Sequence, residues 1–448
     1  MHFLFPILLL LSFAETWADL EIFPKEVEAW IDAGQIKSGN LNGDNARDQT
    51  ISRTGVKLSV SGVYDKKLTL RFGIDELLWY PLPIGELSDA EERAVKFESE
   101  VEADGILAFG NPEYPFARLQ FGLFPYKYNP EAVNLGEYLY RCGAYPEYLW
   151  TGGWSYLDAA SYMGQGVHFN LPTFGDRIIH DFTLFMERDI EPTQDLSPGY
   201  QVTWRPSRYL EFGSGAVWAH ALSLHPEKLS PEDTVDNAYS KITGLPMRLA
   251  RDSATLNTPA NQLGYYTFRG IKVMARASID IGVLLQPDRF RPGDFKLYSE
   301  IALLGVENQP FYYDRRAERM PVMAGINLPT LGLLNKLNLE MEYHKSRYEN
   351  TIFYPYYNQL PIPLSSPGDD PYNYSDSAVA ASRGKFSKDD WHWSVYASKK
   401  IFDGVTLIGQ AASDHLRHFD EEERPHESPT TLSWKDWYYV LRLDFGLF

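Results

Sequence analysis

Residues 437 to 448 read WYYVLRLDFGLF, and this last stretch decides how the rest of the chain is read. Trp437, Tyr439, Leu441, Leu443, Phe445 and Leu447 alternate with Tyr438, Val440, Arg442, Asp444 and Gly446, a period of two that makes a strand with unlike faces. In a soluble sheet, an apolar terminal strand with an open edge invites pairing with other chains. A closed barrel removes that edge, because the last strand pairs with the first and its apolar face meets lipid. From Trp437 to Phe445 the strand rises about 26 Å, close to the height of the apolar band that aromatic girdles flank. Phe448 has the opposite parity, so either a bulge precedes it or it sits beyond the last paired residue.

The same alternation recurs upstream. Leu337, Leu339, Met341 and Tyr343 share one face and Asn338, Glu340, Glu342 and His344 the other, and residues 272 to 282 repeat the pattern. Candidate strands fall at 54–64, 67–78, 96–109, 116–126, 163–171, 178–188, 197–205, 208–220, 268–284, 294–306, 320–329, 335–349, 391–402, 404–418 and 435–447. Many run to about 10 to 15 residues, longer than the ~5 to 6 of soluble sandwiches. Asp65-Lys66, Pro206-Ser207 and Asp403-Gly404 read as tight turns, with GNPEYP, PTFGDR, QPDRFRPGD and PTLGLLN as longer ones on the same side. The long segments 127–162, 221–267, 350–390 and 419–434 all fall on the other side. A single-chain bacterial barrel needs an even strand number, so a further strand is expected within Gln35 to Gln49 or within 145–162. Val27, Trp30 and Ile31 have helical spacing, which predicts a short periplasmic or plug helix over 19–33.

Composition bounds the class. The apolar run before Thr16-Trp17-Ala18 predicts a cleaved export signal over 1–18, with an uncleaved apolar anchor as the alternative because no Lys or Arg precedes the run, followed by a periplasmic or plug segment over 19–50 that could include the first strand, and a barrel over 51–448. Later runs are too short or too charged for a membrane helix; IKVMARASIDIGVLL, the nearest, carries Lys272, Arg276 and Asp280. Sixty acidic against 42 basic residues argue against nucleic acid as a partner. Cys142 is the single cysteine, which excludes an internal disulfide and a thiolate metal centre. No G-x-S-x-G, Walker, H-E-x-x-H or G-x-G-x-x-G motif is present, and no cofactor is implied.

Taken together, these features give an all-β chain: a transmembrane, antiparallel up-and-down barrel of about 16 strands, with short periplasmic turns and long extracellular loops. With its aromatic C-terminal strand, the chain resembles the bacterial outer-membrane β-barrel proteins of the porin type. GLFPYKYNPEAVNLGEYLYR, residues 122 to 141, is similar to stretches of uncharacterised barrel proteins and says nothing of a substrate. The resemblance implies a place in the outer membrane, lipid around the barrel, and recognition of the last strand by the barrel-assembly machinery. Phe448 departs from that signal, whose terminal Phe lies on the outward face.

Alternation gives the expected pore lining as Asp181, Glu187, Arg205, Glu211, Lys272, Arg276, Asp280, Glu300, Glu340, Glu342, Arg442 and Asp444. The acidic majority predicts a mild preference for cations or neutral solutes. Tyr354, Tyr356 and Tyr357 stand among prolines in the longest outer loop; they could stack on sugars, narrow the pore, or simply be surface. Glu340 and Glu342 have the spacing for an acid and base on a glycosidic bond, with a charged lumen wall as the plainer reading, and His344 beside them reads as solvated. DDPYNYSD at 369–376 supplies oxygen ligands but lacks the Gly and final Glu of a Ca²⁺ loop. The expected activity is passage of small hydrophilic solutes, saccharides or cations, through an outer-membrane channel. A surface polysaccharide-binding or structural barrel and an outer-membrane hydrolase are the alternatives.

Overall fold

The computed structural model describes residues 20–41, 44–45, 47–79, 96–140, 162–187, 194–222, 270–285, 290–306, 315–345, 391–413, 418–419, 425–426 and 434–446. The sheet runs in chain order through β1 (Leu20–Ser38), β2 (Thr50–Tyr64), β3 (Leu68–Trp79), β4 (Lys96–Asn111), β5 (Tyr114–Tyr126), β6 (Tyr162–Thr173), β7 (Ile178–Met186) and β8 (Leu196–Ser207). It continues with β9 (Leu210–Ala219), β10 (Gly270–Asp280), β11 (Lys296–Leu303), β12 (Val322–Asn327), β13 (Lys336–Tyr343), β14 (Trp391–Phe402), β15 (Val405–Ala412) and β16 (Trp437–Gly446). Each strand pairs with its neighbours in the chain, and β1 pairs with β16, so the 16 strands form one closed barrel. All the pairings are antiparallel. Two-residue ribbons at 40–41 with 44–45 and at 418–419 with 425–426 stand apart from it.

The strand missing from the sequence reading is β1, and it occupies the segment expected to be helical. The spacing of Val27, Trp30 and Ile31 is coincidental: Trp30, Asp32 and Ile36 point inward and are buried, while Ile31 is exposed on the outside. Barrel closure decides between the two patterns, because a helix here would leave the edges of β2 and β16 open. Residues 268–284, read as one strand, divide into β10 and a short helix α1 (Ile281–Leu285). The Asp280 carboxylate sits at the break and accepts the backbone N–H groups of Val283 and Gly293, at 2.9 and 2.7 Å.

Turn lengths follow the expected division. At one end β2–β3, β4–β5, β8–β9 and β14–β15 are joined within a few residues, whereas at the other end β5–β6, β9–β10, β13–β14 and β15–β16 are joined by long segments. The tight turn near Pro206 lies slightly later, at Arg208-Tyr209. Outward positions are apolar along strand after strand, among them Val56, Leu58, Val60, Phe72, Phe121 and Leu441, all exposed. Trp218 and Trp391 mark the long-loop end of this surface, and Trp204 with Phe212 the short-turn end. Inward positions carry the charge. An exterior this extensively apolar around a polar interior is what a barrel immersed in lipid requires.

The seam between the first and last strands has its own fastening. Asp32 lies in register with Arg442 of β16 on one side and Arg53 of β2 on the other. Its Oδ2 accepts from both guanidinium groups, at 2.7 and 3.0 Å. The Trp30 ring lies under both cations, with its centroid 4.0 Å from the Arg442 guanidinium carbon and 5.3 Å from that of Arg53. Burial removes water that would otherwise screen this group, so loss of its anion leaves two cations facing each other. Asp32→Asn is expected to destabilise the barrel by about 3 to 5 kcal/mol, the cost of breaking a buried charge pair. The temperature at which the compact form converts to the unfolded one on detergent gels should fall accordingly, and an unchanged temperature would refute the role of the seam.

Candidate functional site

Residues 127–140, which leave the barrel wall at the end of β5, do not stay outside. Tyr128, Ala132, Leu135, Tyr138 and Leu139 are buried against Phe185, Val217, Met274, Tyr298, Ala302 and Met323, which belong to the inner face from β7 to β12. An irregular segment inside a barrel has backbone N–H groups that no ladder satisfies, so it needs acceptors from side chains. Two glutamates of the wall supply them. Glu340 of β13 accepts from the amides of Val133, Asn134 and Leu135, at 2.6, 2.8 and 2.9 Å, and from the Tyr298 hydroxyl at 2.7 Å. Glu300 of β11 accepts from the amides of Glu137 and Tyr138, from Asn129 Nδ2 and from the Tyr128 hydroxyl.

Further contacts fix the ends and middle of the segment. The Tyr138 hydroxyl donates to Glu342 at 2.8 Å. Glu131 meets Lys296 Nζ at 2.6 Å, and Tyr140 bonds Thr183 and Gln201 on β7 and β8. Burial, reinforced by the Glu300 charge, pushes the Tyr128 hydroxyl well above its usual range, so it remains protonated and donates. Two glycines make the approach possible. Gly136 has φ +87°, a left-handed conformation that disfavours a side chain, and a Cβ there would meet Met323. At Gly325, which lies in register between Tyr298 and Glu340, a Cβ would collide with the Tyr298 ring.

All twelve expected lining residues have inward parity, but they face different surroundings. Glu300, Glu340 and Glu342 are 1 %, 3 % and 1 % exposed, with their carboxylates engaged by the inserted segment. Asp280 holds the turn after β10. Arg442 belongs to the seam, where Asp444 lies 3.9 Å from it. Lys272 is buried. Arg276 reaches Glu211 on the adjacent β9 and Thr203 one strand further away on β8, and Arg205 bonds the same Glu211 through Nε at 2.7 Å. Asp181 accepts from His168 and Asn170, and Glu187 lies 3.6 Å from His220. His344, expected to be solvated, is buried. Tyr354, Tyr356, Tyr357, Cys142, Phe448, the acidic stretch 369–376 and the signal segment lie outside the described residues.

The expected lining omits the wall opposite the segment. Lys57, Arg71, Asp75, Glu102, Asp104 and Arg118 also face inward there, and Arg71 forms a two-pronged pair with Asp104 at 2.9 and 2.5 Å. Their strands were assigned, and in VKLSV, LRFGID and EVEADG the charges keep a single parity, so the alternation that yields the other twelve reaches these positions as well. A signal for the insertion was available: apolar Ala132, Val133, Leu135 and Leu139 interrupt a segment otherwise readable as an outer loop.

A closed barrel of 16 strands, short turns at one end, and a chain segment laid along the inner wall are now described. The architecture is that of a closed, antiparallel up-and-down barrel. No protein-family model matches the sequence, and no curated protein matches it. Among solved structures, the chain is similar to a triple mutant of the Rhodopseudomonas blastica porin, with 8% identity, 96% of this chain and 100% of that chain covered, and a TM-score of 0.40. It is also similar to Salmonella typhi OmpF in complex with daunomycin, with 9% identity, coverage of 96% and 97%, and a TM-score of 0.43. At these identities no individual side chain carries over from either protein.

The clasp can be tested without assuming any function. In Glu340→Ala, hydrogen exchange at the amides of residues 133 to 135 should accelerate by about tenfold or more, since each charge-assisted bond contributes about 1.5 kcal/mol or more. Equal exchange rates in the parent and the variant would show that the glutamate does not hold the segment.

Proposed function

We propose that the protein is an outer-membrane channel through which small hydrophilic solutes pass without covalent chemistry. The observation that carries this reading is the one-sided lie of the inserted segment. Its two glutamate anchors stand on β11 and β13, so the wall from β2 to β5 stays open to water: the side chains of Lys57, Arg71 and Glu102 are 27 %, 24 % and 23 % exposed. A barrel of this strand number has a lumen too wide for wall side chains alone to fill. Residues 127–140 therefore narrow the passage and leave a charged, wetted path beside them.

The hydrolase alternative loses its main support. Glu340 and Glu342, the pair with the spacing for acid and base work, are both bonded by the inserted segment and buried. A polysaccharide-binding barrel that does not conduct keeps one observation in its favour, the burial of inward His392, Ser394, Gln410 and Tyr438 toward the long-loop end. The acidic majority among the twelve lining positions is a poor guide to selectivity, because Asp280, Glu300, Glu340 and Glu342 are consumed by backbone donors or by Tyr138.

Planar-bilayer recording of the refolded mature chain tests the proposal. Stable, stepwise single-channel conductance is expected. Protein that inserts in folded, heat-modifiable form yet passes no current would refute the channel and favour a binding barrel.

A further inference from the structure

Two of the short connections share a sequence. LPTFG, residues 171 to 175, leads from β6 to β7, and LPTLG, residues 328 to 332, from β12 to β13. They share a geometry as well. Phe174 and Leu331 both have φ +53°, and the glycine after each is also positive, at +65° for Gly175 and +86° for Gly332. In both, the threonine hydroxyl donates to a carbonyl on the far arm of the turn, Thr173 to Ile178 at 3.1 Å and Thr330 to Leu334 at 2.6 Å.

The tip of each turn is a large apolar side chain, 79 % exposed at Phe174 and 75 % at Leu331, with Leu333 beside the latter at 77 %. In water such a tip is unfavourable twice over. The left-handed conformation crowds the Cβ of any residue but glycine, and the apolar surface stays hydrated. Hairpins with successive positive φ values favour Asn-Gly or Asp-Gly, and the β2–β3 turn of this chain meets the same demand with polar Asp65 and Lys66, at +47° and +55°. Turn formation alone therefore does not account for Phe and Leu at these tips; what covers the side chains does.

We propose that the two turns are lipid anchors: Phe174 and Leu331 enter the interfacial layer of the leaflet at the short-turn end, where headgroups meet acyl chains. Continuity with the lipid-facing wall identifies the occupant. Ile178, which opens β7 after the first turn, is in register with Trp204, whose outward ring is exposed and lies against Phe212. Outward tryptophan marks the membrane interface. Beside the second turn, Lys399 stands on the outer face in register with exposed Leu407, and its ammonium donates to the Gly332 carbonyl at 2.9 Å. A lysine on a lipid-facing position carries its charge to the headgroup layer, so the turn that it holds lies at that level. The inference goes beyond the channel reading and stands whether or not the barrel conducts.

Two measurements on the whole refolded barrel in vesicles of phosphatidylethanolamine and phosphatidylglycerol test it. Spin labels on Phe174→Cys and Leu331→Cys, in a chain that also carries Cys142→Ser, should collide with oxygen rather than with an aqueous nickel chelate in a ratio several-fold above that of a label on Lys66→Cys. Equal ratios at the three positions place the tips in water and overturn the anchors. Labels shielded from both reagents place them in a protein contact and overturn the lipid site as well. The second measurement separates anchoring from turn formation by its sign. Asparagine tolerates the left-handed conformation, so a role in the turn alone leaves Phe174→Asn and Leu331→Asn as stable as the parent or more stable. Anchoring predicts the reverse: in urea titration of the vesicle-embedded barrel, the folded-to-unfolded ratio should fall by about tenfold in each variant, the effect of returning one large apolar side chain to water. Asparagine variants that match or exceed the parent overturn the proposal.

Discussion

The structure depends on one constraint: in lipid, every backbone amide of a spanning strand must be paired within the protein. A sheet meets that demand only by closing, so β1 and β16 have to find each other across nearly the whole length of the chain. Closure then settles which residue faces where. With period two, one parity of every strand is committed to lipid and the other to the interior, and a slip of one residue would exchange them. The Asp32, Arg53 and Arg442 cluster sits at the closing contact, where three strands must hold the same register for their charges to meet.

An interior this wide creates a second demand. Inward charges on so many strands must either meet water or be paired, and the inserted segment pairs many of them. Carboxylates suit the role because each has two oxygens and several lone-pair directions. Glu340 takes three consecutive amides, and Glu300 takes two amides with two side-chain donors. The segment thus needs no regular structure to satisfy its backbone. Its apolar side chains, Leu135 and Leu139 among them, fill the space between these anchors and add the burial that polar contacts alone supply poorly.

Much of this was legible in the sequence, for reasons that can be stated. Strands with one lipid-facing parity, such as Leu337 to Tyr343, carry an alternation that local reading detects, and all fifteen assigned strands have counterparts in the barrel. The first strand escaped because Val27, Trp30 and Ile31 satisfy a helical period as well, and only its distant partner β16 selects the strand. The fate of the lining glutamates escaped for a similar reason. Parity tells that Glu300 and Glu340 point inward, but a loop some 160 to 200 residues earlier determines whether they meet water or backbone amides. Local pattern fixes the face of a side chain, whereas its partner is a property of the closed barrel.

The same distinction governs how charge should be counted in this lumen. A carboxylate fully occupied by amides presents little field to a passing ion, while an exposed guanidinium with free nitrogens presents a strong one. Counting residues by parity weighs the two equally and gives an acidic pore. Counting by exposure removes Glu300 and Glu340 and keeps Arg205 of β8 together with Lys57, Arg71 and Glu102 on the wall from β2 to β5. By lying on one side, the segment therefore narrows the lumen and also selects which wall charges stay exposed in it.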